Sequence, residues 1–391
     1  MTFPPALDIP ESILQIARAL EGAGFEAWCV GGSLRDRLLG FPQSDFDIAT
    51  SATPEQVQRL FPKTVAVGVK YGTVGVLDRA RALHEVTTFR RDVLTDGRHA
   101  VVQYGVSLED DLARRDFTIN AIAYHPFRHE WRDPFDGKQD LEAGVVRAVG
   151  NPAQRFAEDY LRILRALRFS ARFGFAVDPE TWKAAQAAAP GLHQLSAERV
   201  RDEWFKGLQT AASVRQLVSL WRDVGAAAVW IPELDPGATA EPPTSVRDPV
   251  LLTALLTRSP AQVLRRLRAS NAEVDRAAGI ERGPEEPADS DAAAVRRWLS
   301  EAGSAAPDLT VLWSLRQGRE PPWSGAIDEI IRRGDPLHRG DLVISGADLQ
   351  SLGARGPDVG RVLAALLNEV LDDPSRNRRE FLLDRARALL G

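Results

Sequence analysis

Hydrophobic and polar positions follow two different patterns along the chain, and the change comes near residue 150. Before that point, short apolar runs at 27–30, 74–77 and 83–88 are separated by glycines, which is typical of β-strands. After it, apolar residues recur at the three- and four-residue spacing of amphipathic helices, beginning with 155–172. The sequence therefore predicts an α+β fold, in which a small mixed β-sheet head is followed by an elongated neck, body and tail made of helices.

The predicted elements of the head are short and are bounded by glycine or proline. Gly31 and Gly32 begin a helix, Thr53 is the N-cap and Pro54 the first residue of another, and Gly72 marks a hairpin turn. The elements in order are helix 13–20, strand 27–30, helix 34–39, strand 46–49, a helix from residue 54, and strands 65–67, 74–77 and 83–88.

The length and the loop pattern predict more than one domain. A chain of 391 residues exceeds the usual size of one domain, and stretches rich in proline and acidic residues at 232–249 and 281–291 predict loops. The predicted segments are a head at 1–145, a helical neck at 146–210, a helical body at 211–335 and a helical tail at 336–391.

Composition and charge exclude several classes of protein. No apolar run approaches the roughly 20 residues that span a bilayer, and the N-terminus lacks the pattern of a signal peptide. Cys29 is the single cysteine, which excludes an internal disulfide and a cysteine-based zinc site. The net charge of −5 argues against indiscriminate binding of nucleic acid. We therefore expect a cytoplasmic protein with no membrane partner and no DNA partner.

Two aspartates separated by one residue, Asp45 and Asp47, carry the strongest chemical signal. Residues i and i+2 of a strand point to the same face, about 6.6 Å apart along the chain. A divalent cation relieves the repulsion between the two carboxylates, and two such cations activate a 3′-hydroxyl and stabilise a leaving pyrophosphate. Upstream, Gly31 and Gly32 let backbone N–H groups approach phosphate oxygens. The competing interpretation is a turn with two solvated aspartates.

A second polar segment contains two adjacent arginines, Arg114 and Arg115, which are natural ligands of phosphate groups. Asp116 can accept a hydrogen bond from a ribose hydroxyl, and Asn120 can both donate and accept. If the segment is helical, Asp116 and Asn120 share a face because they are four residues apart. The alternative is a capped helix whose arginines are solvated. The turn at 133–137 is predicted to be mainly structural.

A third segment places a carboxylate and a guanidinium three residues apart, those of Asp159 and Arg162, on one face of a predicted helix. Cytosine and adenine each offer one donor and one acceptor that match a carboxylate beside a guanidinium, whereas uracil and guanine present the reverse. A site with mispaired buried polar groups rejects its ligand strongly. One such pair therefore selects C and A together, and Glu158 is predicted to orient Arg162. The competing interpretation is an ordinary surface ion pair.

Several further arginines follow at helical spacing. Arg165, Arg168 and Arg172 either follow RNA phosphates or form a solvated face, and the sequence leaves both interpretations open. Ser196 is a predicted N-cap, with Arg199 and Glu203 paired at i, i+4. We expect this segment to support the helix that carries Arg162.

The combination of these motifs resembles a known enzyme family. The strings GGSLRDRLLGFPQSDFDIAT, RRDFTIN and EDYLRILRALRF are similar to those of class II tRNA nucleotidyltransferases and bacterial poly(A) polymerases, within the polymerase-β-like nucleotidyltransferase superfamily. The resemblance implies an enzyme that adds CCA, or part of it, to the 3′ end of tRNA from CTP and ATP without a template, with Mg²⁺ as cofactor.

The resemblance also implies roles for individual residues. Asp45 and Asp47 hold the metal ions, and Glu85 is the third catalytic carboxylate. The other implied nucleotide ligands are Gly31, Gly32, Arg35, Arg114, Arg115, Asp116, Asn120, Asp159, Arg162, Arg165 and Arg168. The tail, through the segments 345–349 and 377–380, resembles the part of the family that grips tRNA.

A polar segment at 90–100 is predicted to be a flexible loop, and in the family this loop helps the enzyme switch from C to A. Arg90, Asp96 and Arg98 match its pattern, but Ala100 stands where proline is usual and the loop is slightly short. Addition of CCA, of CC alone and of the terminal A alone therefore remain open, and we favour full CCA addition.

Three other functions compete with this assignment. A poly(A) polymerase shares every head motif, but the acidic net charge argues against it. A non-catalytic tRNA-binding protein would not need Asp45 and Asp47, and a small-molecule nucleotidyltransferase would not need the long helical arm. No His-Asp pair occurs in the chain, so no phosphohydrolase activity is expected.

Overall fold

The computed structural model describes residues 3–41, 46–68, 72–95, 100–237 and 241–391. The chain forms two compact units, Met1–Pro232 and Glu233–Gly391. Within the described residues, all named strands belong to the first unit, and the second unit is helical. The predicted combination of a mixed-sheet head and a helical remainder is confirmed.

A seven-stranded mixed sheet is the centre of the first unit. β2 and β5 run parallel, and the other neighbouring pairs run antiparallel. The strands, numbered along the chain and given in the order in which they lie side by side, are β3 (Thr64–Gly68), β4 (Thr73–Leu77), β5 (Leu83–Thr88), β2 (Asp47–Thr50), β1 (Ala27–Val30), β8 (Ala123–His125) and β9 (Glu130–Arg132).

Apolar clusters cover both faces of this sheet. All four residues of β1 are buried because its first and third side chains enter one cluster and its second and fourth enter another. The first cluster includes α1 (Glu11–Gly22) and α3 (Pro54–Leu60), and the second includes α4 (Leu108–Ala113). Thr53 caps α3 as predicted, since its hydroxyl accepts the N–H of Gln56.

Two elements of the head differ in the structure from the prediction. The predicted strand at 46–49 begins one residue later, with Asp47 as its first residue. The first half of the predicted loop at 90–100 is instead a strand, β6 (Arg90–Thr95), which pairs antiparallel with β7 (Ala100–Tyr104). Asp45, Asp96 and Arg98 lie outside the described residues.

A close backbone contact within the first unit depends on one glycine. A short 3₁₀ helix, Thr118–Asn120, packs against the start of α5 (Gly137–Ala143). A Cβ atom at Gly137 would lie 2.2 Å from the carbonyl oxygen of Thr118, so only glycine permits this approach. The predicted structural role of 133–137 agrees with this contact, because Asp133 accepts the N–H groups of Gly137 and Lys138.

One further helix, α2 (Gly32–Leu38), lies between β1 and β2. After the sheet come α6 (Pro152–Glu158), α7 (Leu161–Phe173), α8 (Pro179–Ala188), α9 (Ala197–Thr210), α10 (Val214–Asp223) and α11 (Ala226–Trp230), with the short parallel pair β10 (Val145–Val146) and β11 (Ala176–Val177).

The single helix predicted over 155–172 is wrong, because the structure has two helices with a break at 159–160. Asp159 has an extended backbone, with φ −157° and ψ 105°, and its Oδ1 accepts the N–H of Leu161 at 3.0 Å. An aspartate that bonds the backbone two residues ahead competes with helix formation and starts a new helix instead.

The second unit contains two apolar clusters, one within 251–330 and one within 342–386. The buried Arg296 connects them, because its guanidinium donates to the carbonyl oxygens of Leu371 and Asp372 at 2.7 and 2.9 Å. The helices of this unit are α12 (Pro249–Leu256), α13 (Pro260–Arg266), α14 (Asn271–Arg282), α15 (Ala292–Ala302), α16 (Ala306–Gln317), α17 (Ser324–Arg333), α18 (Gly346–Ser351), α19 (Pro357–Asp372) and α20 (Arg379–Leu390).

Among the described residues, no helix has the length and apolar character that crossing a bilayer requires. The division into head, neck, body and tail stays a prediction.

The contact at Gly137 yields a stability prediction. We expect Gly137→Ala to lower the free energy of unfolding by about 1–3 kcal/mol, the usual cost of forcing extra atoms into a packed site. Urea denaturation of the full chain measures the change. Gly22→Ala is the matched control, because a Cβ there meets no atom within 4 Å and alanine favours a helix. Equal losses in both variants would contradict the proposed contact.

Candidate active site

A polar cleft of about 540 Å³ lies in the first unit, within the usual range for small-molecule sites. Most of the residues predicted from the sequence line it together. These are Gly31, Gly32, Arg35, Asp47, Glu85, Arg114, Arg115, Asp116, Asn120, Asp159, Arg162, Arg165 and Arg168.

One corner of the cleft is formed where β1 turns into α2. Gly31 adopts φ +80°, a conformation that residues with a side chain rarely take. A Cβ atom there would lie 2.8 Å from Nη1 of Arg115 and 3.8 Å from Oδ2 of Asp47. Glycine therefore lets a guanidinium and a carboxylate approach the backbone that was predicted to bind phosphate.

Two carboxylates of neighbouring strands face this corner. Asp47 begins β2, and Glu85 lies on β5, where the parallel register pairs Ile48 with Val86. Both side chains line the cleft, and carboxylate oxygens are suitable ligands for Mg²⁺. Within the described ranges, which omit Asp45, no cluster of three potential ligand residues is present.

The thiol of Cys29 lies close enough to Asp47 to feel its charge but takes no part in such chemistry. Burial, together with the negative charge of Asp47, raises the pKa of Cys29 to about 12. The thiol therefore stays protonated near neutral pH, and a protonated thiol is neither a nucleophile nor a metal ligand.

Asp111, which sequence analysis missed, holds the two adjacent arginines. Its carboxylate is fully buried and accepts Nε and Nη2 of Arg114 at 2.9 and 2.7 Å and Nη2 of Arg115 at 3.2 Å. Burial alone would raise the pKa of Asp111, but the two arginines outweigh it and lower that pKa. The spacing of three and four residues was the available signal. The alternative of solvated arginines is wrong.

Asp111 also reaches the β6–β7 pair. Its Oδ1 accepts the backbone N–H of Arg90 at 3.4 Å. The predicted loop residue Arg90 therefore begins a strand that is attached to the carboxylate holding Arg114 and Arg115.

Asp116 and Asn120 belong to a hydrogen-bonded chain across the cleft floor. Asn120 accepts Nη1 of Arg35 at 2.5 Å and donates to Asp116 at 2.9 Å, and Asp116 accepts Nε of Arg165 at 2.6 Å. The contact between Asp116 and Asn120 is present, but the segment is not an α-helix, since it is extended at Phe117 and then forms the 3₁₀ helix.

The charge of Asp116 is fixed by these partners. Burial by itself would raise its pKa, but the charge of Arg165, the hydrogen bond from Asn120 and the charge of Arg162 outweigh burial and hold the pKa of Asp116 well below its ordinary value. The side chain is therefore a permanent carboxylate and hydrogen-bond acceptor at neutral pH.

Arg35 lines the cleft, but its guanidinium donates hydrogen bonds to neighbouring side chains. Only 4% of it is exposed, and its Nε and Nη2 donate to Asp36 at 2.8 and 2.6 Å. Its guanidinium lies 4.7 and 4.9 Å from the ring centres of Phe169 and Phe173. These contacts join α2 to α7, because Asp36 also accepts Nη2 of Arg172 at 2.8 Å.

The predicted pair Asp159 and Arg162 also lines the cleft, but the two residues do not share a helical face because the helix is broken between them. Arg162 donates to Oε2 of Glu158 at 2.8 Å and to the carbonyl oxygen of Arg114 at 3.0 Å. The predicted contact with Glu158 is therefore present. Oδ2 of Asp159 accepts Nη2 of Arg199 at 2.7 Å.

The predicted pairing of Arg199 with Glu203 is wrong. Arg199 extends to Asp159, and Glu203 accepts Nε of Arg168 at 2.6 Å. Ser196 stands at the N-cap position of α9, as predicted, without a capping bond from its side chain. The helix α9 therefore supports both the break at Asp159 and the helix α7.

The interpretation of the arginines of α7 as a solvated face is also wrong. Arg168 is 8% exposed, and each arginine is paired with a carboxylate. The pairs are Arg165 with Asp116, Arg168 with Glu203, and Arg172 with Asp36.

Comparisons with known proteins identify the family of the chain. A family model described as the poly A polymerase head domain matches residues 27–147. A second model, described as a probable RNA and SrmB-binding site of polymerase A, matches residues 174–237.

Curated relatives cover either half or all of the chain. A CCA-adding enzyme of Leuconostoc mesenteroides is 49% identical over 212 residues, which span 53% of this chain and only 52% of that relative. A CCA-adding enzyme of Latilactobacillus sakei is 36% identical over 405 residues, 99% of each chain.

Solved structures of CCA-adding enzymes resemble the fold of this chain. The Bacillus stearothermophilus CCA-adding enzyme in complex with CTP matches with a TM-score of 0.83, 32% identity and 99% coverage of both chains. The Thermotoga maritima CCA-adding enzyme complexed with tRNA matches with a TM-score of 0.64 at 20% identity, which shows a shared fold.

Proposed function

Since the chain belongs to the family of CCA-adding enzymes, as its full-length similarity to such an enzyme shows, we propose that it adds CCA to the 3′ end of tRNA from CTP and ATP. One observation carries the proposal. The carboxylates Asp47 and Glu85, on strands β2 and β5, line the same cleft as the base-selecting candidates Asp159 and Arg162, which lie where α6 ends and α7 begins. A nucleotide whose base contacts the second pair places its phosphates toward the first.

The proposed reaction is attack of the RNA 3′-hydroxyl on the α-phosphorus of the bound nucleotide, with release of pyrophosphate. The chain orients the triphosphate through the backbone at Gly31 and Gly32 and through Arg114 and Arg115, which Asp111 holds in place. Guanidinium groups suit phosphate because they donate two parallel hydrogen bonds.

Asp45 and Asp47, with Glu85 as a third carboxylate, are the residues that would hold the metal ions. Mg²⁺, when bound, lowers the pKa of the attacking hydroxyl and stabilises charge on the leaving group. The oxygen donors of Asp47 and Glu85 fit this hard cation. The neutral thiol of Cys29 adds no competing soft ligand.

Selection of the base falls to Asp159 and Arg162. The carboxylate accepts from the exocyclic amino group of C or A, and the guanidinium donates to the adjacent ring nitrogen. Their separate partners support this role, because Arg199 orients the carboxylate of Asp159 and Glu158 orients the guanidinium of Arg162. Uracil and guanine would place acceptor against acceptor and donor against donor, which a buried site rejects.

The remaining parts of the proposal concern the RNA and the cell. The neck, body and tail bind tRNA, and the protein acts in the cytoplasm. Similarity over 99% of a CCA-adding relative favours complete CCA addition over the CC-only and A-only alternatives.

The proposal is tested by nucleotide incorporation on three tRNA transcripts that lack CCA, CA or A, with CTP, ATP or both and magnesium. We expect all three to reach full length and then stop. Growth limited to C or to the last A would replace the proposal by a partial activity. Long A-tails would indicate a poly(A) polymerase, and no incorporation would indicate a non-catalytic RNA-binding protein.

Removal of a metal-binding carboxylate separates catalysis from binding. We expect Asp47→Ala to reduce incorporation to less than about 1% of wild type, because Lewis-acid catalysis is lost, while tRNA binding in a gel-shift assay is unchanged. Asp45→Ala should behave alike. Glu11→Ala on α1, an exposed acid of the same unit, is the control. Residual turnover above that level would refute the metal role.

Removal of the base-selecting side chains tests their function. We expect Asp159→Ala and Arg162→Ala to incorporate UTP or GTP with at least a tenfold rise relative to CTP, since one good hydrogen bond is worth about 1–3 kcal/mol. Arg201→Ala is the matched control on α9, because Arg201 pairs with its neighbour Asp202. Retained selection for C and A in both variants would make the two residues structural.

A further inference from the structure

We infer that Arg35 is a positioning residue for sugar selection, because it fixes the direction in which the amide of Asn120 meets a hydroxyl of the incoming nucleotide. The inference rests on the proposed function and adds a specificity determinant to it. Asn120 and Asp116 contact the hydroxyl, and Arg35 acts through Asn120 without touching the nucleotide.

Asn120 and Asp116 lie between the groups proposed to bind phosphate and those proposed to select the base. The backbone carbonyl of Asn120 accepts Nη1 of Arg115 at 3.2 Å. The carboxylate of Asp116 accepts Nε of Arg165, which follows Arg162 by one turn of α7. Both side chains also line the cleft. A nucleotide joins its base to its phosphates through the sugar, so a nucleotide bound at both ends places its sugar beside this pair.

The pair has hydrogen-bonding capacity that suits a hydroxyl. The amide nitrogen of Asn120 carries two N–H groups, and among the described residues its acceptor is Oδ1 of Asp116, at 2.9 Å. Oδ2 of Asp116 accepts Arg165 at 2.6 Å, and a carboxylate oxygen can accept two hydrogen bonds. A sugar hydroxyl both donates and accepts. It can therefore accept the second N–H of Asn120 and donate to Oδ2 of Asp116.

The orientation of the Asn120 amide depends on Arg35. The amide oxygen accepts Nη1 of Arg35 at 2.5 Å, while the amide nitrogen faces Asp116. The reverse orientation would set N–H against N–H at Arg35 and oxygen against oxygen at Asp116, which is costly in a buried site. With the bond to Asp116 alone the amide can rotate about that bond. Arg35 supplies the second contact, which fixes the amide plane.

Arg35 is itself held by the protein rather than presented to a ligand. It is 4% exposed, and its Nε and Nη2 donate to Asp36 at 2.8 and 2.6 Å. The rings of Phe169 and Phe173 lie against its guanidinium, with their centres 4.7 and 4.9 Å away. These contacts favour a role that passes through Asn120 over direct binding of the nucleotide.

This arrangement has a measurable consequence for sugar selection. A nucleotide that lacks the hydroxyl leaves the N–H of Asn120 and the oxygen of Asp116 without a partner inside the cleft. Sites that hydrogen-bond a hydroxyl reject analogues without it for this reason. If the amide rotates, the site loses its complementarity to the hydroxyl and part of that rejection disappears. The preference for a ribonucleotide over its deoxy analogues therefore reports the orientation of Asn120.

The test measures kcat/KM for one addition to a tRNA transcript lacking CCA, with CTP, 2′-deoxy-CTP or 3′-deoxy-CTP. We expect Arg35→Lys to reduce the preference for CTP over one analogue on the order of tenfold, the size of one hydrogen bond. The reason is that one ammonium cannot replace a guanidinium that bonds Asp36 and Asn120 together. The analogue that gains identifies the hydroxyl.

Arg172→Lys is the matched control and keeps the wild-type preference. Arg172 also donates to Asp36, at 2.8 Å, and also lies 4.9 Å from the ring centre of Phe173. It belongs to the same contact between α2 and α7 but is not a donor to Asn120. Urea denaturation of each variant checks the fold. If Arg35→Lys does not fold, Arg35→Met, which retains an apolar side chain against the phenylalanine rings, takes its place.

A double-mutant cycle shows whether Arg35 acts through Asn120. We expect Asn120→Ala to reduce the preference for CTP, and Arg35→Lys to reduce it no further when it is added to Asn120→Ala, because the two side chains act as one unit. A further reduction in the double variant would refute the inference, since Arg35 would then act by another route.

The outcomes separate the inference from the proposed function. If wild type extends the transcript and Arg35→Lys keeps the preference for CTP, the inference is refuted and the function stands. Equal losses in Arg35→Lys and Arg172→Lys would trace the effect to the packing of α2 on α7, which also refutes it. A wild type that uses both analogues as well as CTP has no sugar selection, and the inference falls alone. If wild type extends no transcript, both proposals fall.

Discussion

The matching of each cleft arginine to a buried or half-buried carboxylate is the constraint on which the site depends. Guanidinium groups crowded into a cavity of this size repel one another, and the cost rises as water is excluded. Asp111 and Asp116 offset that cost by accepting two or more hydrogen bonds each. Glu203 accepts one from Arg168 and forms an ion pair with Arg165 at 3.9 Å. Their shared property is burial, which fixes the direction of each arginine.

The same constraint explains why residues far apart in the sequence act as one site. The path from Arg35 through Asn120 and Asp116 to Arg165 passes from α2 to the 3₁₀ helix and then to α7. This chain of hydrogen bonds orders the side chains between the proposed phosphate site and the proposed base-selecting residues. Side chains that are already ordered lower the entropic cost of binding a ligand.

Sequence analysis identified residues that lie together in the structure because they occur in short motifs with a clear spacing. Asp47, Arg115 and Arg162 were identified in this way and all line the cleft, and their roles stay predictions. The pairing of side chains was predicted only in part. The pairs of Arg199 and Arg168 depend on how α9 packs against α7, and a local i, i+4 rule cannot anticipate a partner 35 to 40 residues away.

The break at Asp159 and the strand β6 show a second reason for error. Both segments contain residues that are compatible with the predicted element, but a specific hydrogen bond decided otherwise. The Oδ1 of Asp159 accepts the N–H of Leu161, two residues ahead, and this local bond competes with the helix. The segment from Arg90 pairs with β7, and this ladder makes it a strand.

The burial of Cys29 makes the native chain unreactive toward thiol reagents. Its thiol stays protonated, and its side chain is 1% exposed within the core beneath the sheet, so alkylating probes and mild oxidants find no thiolate to attack. A cysteine introduced at any exposed position would then be the one reactive thiol of the molecule. The protein is therefore ready for site-specific dyes or spin labels without the removal of its natural cysteine.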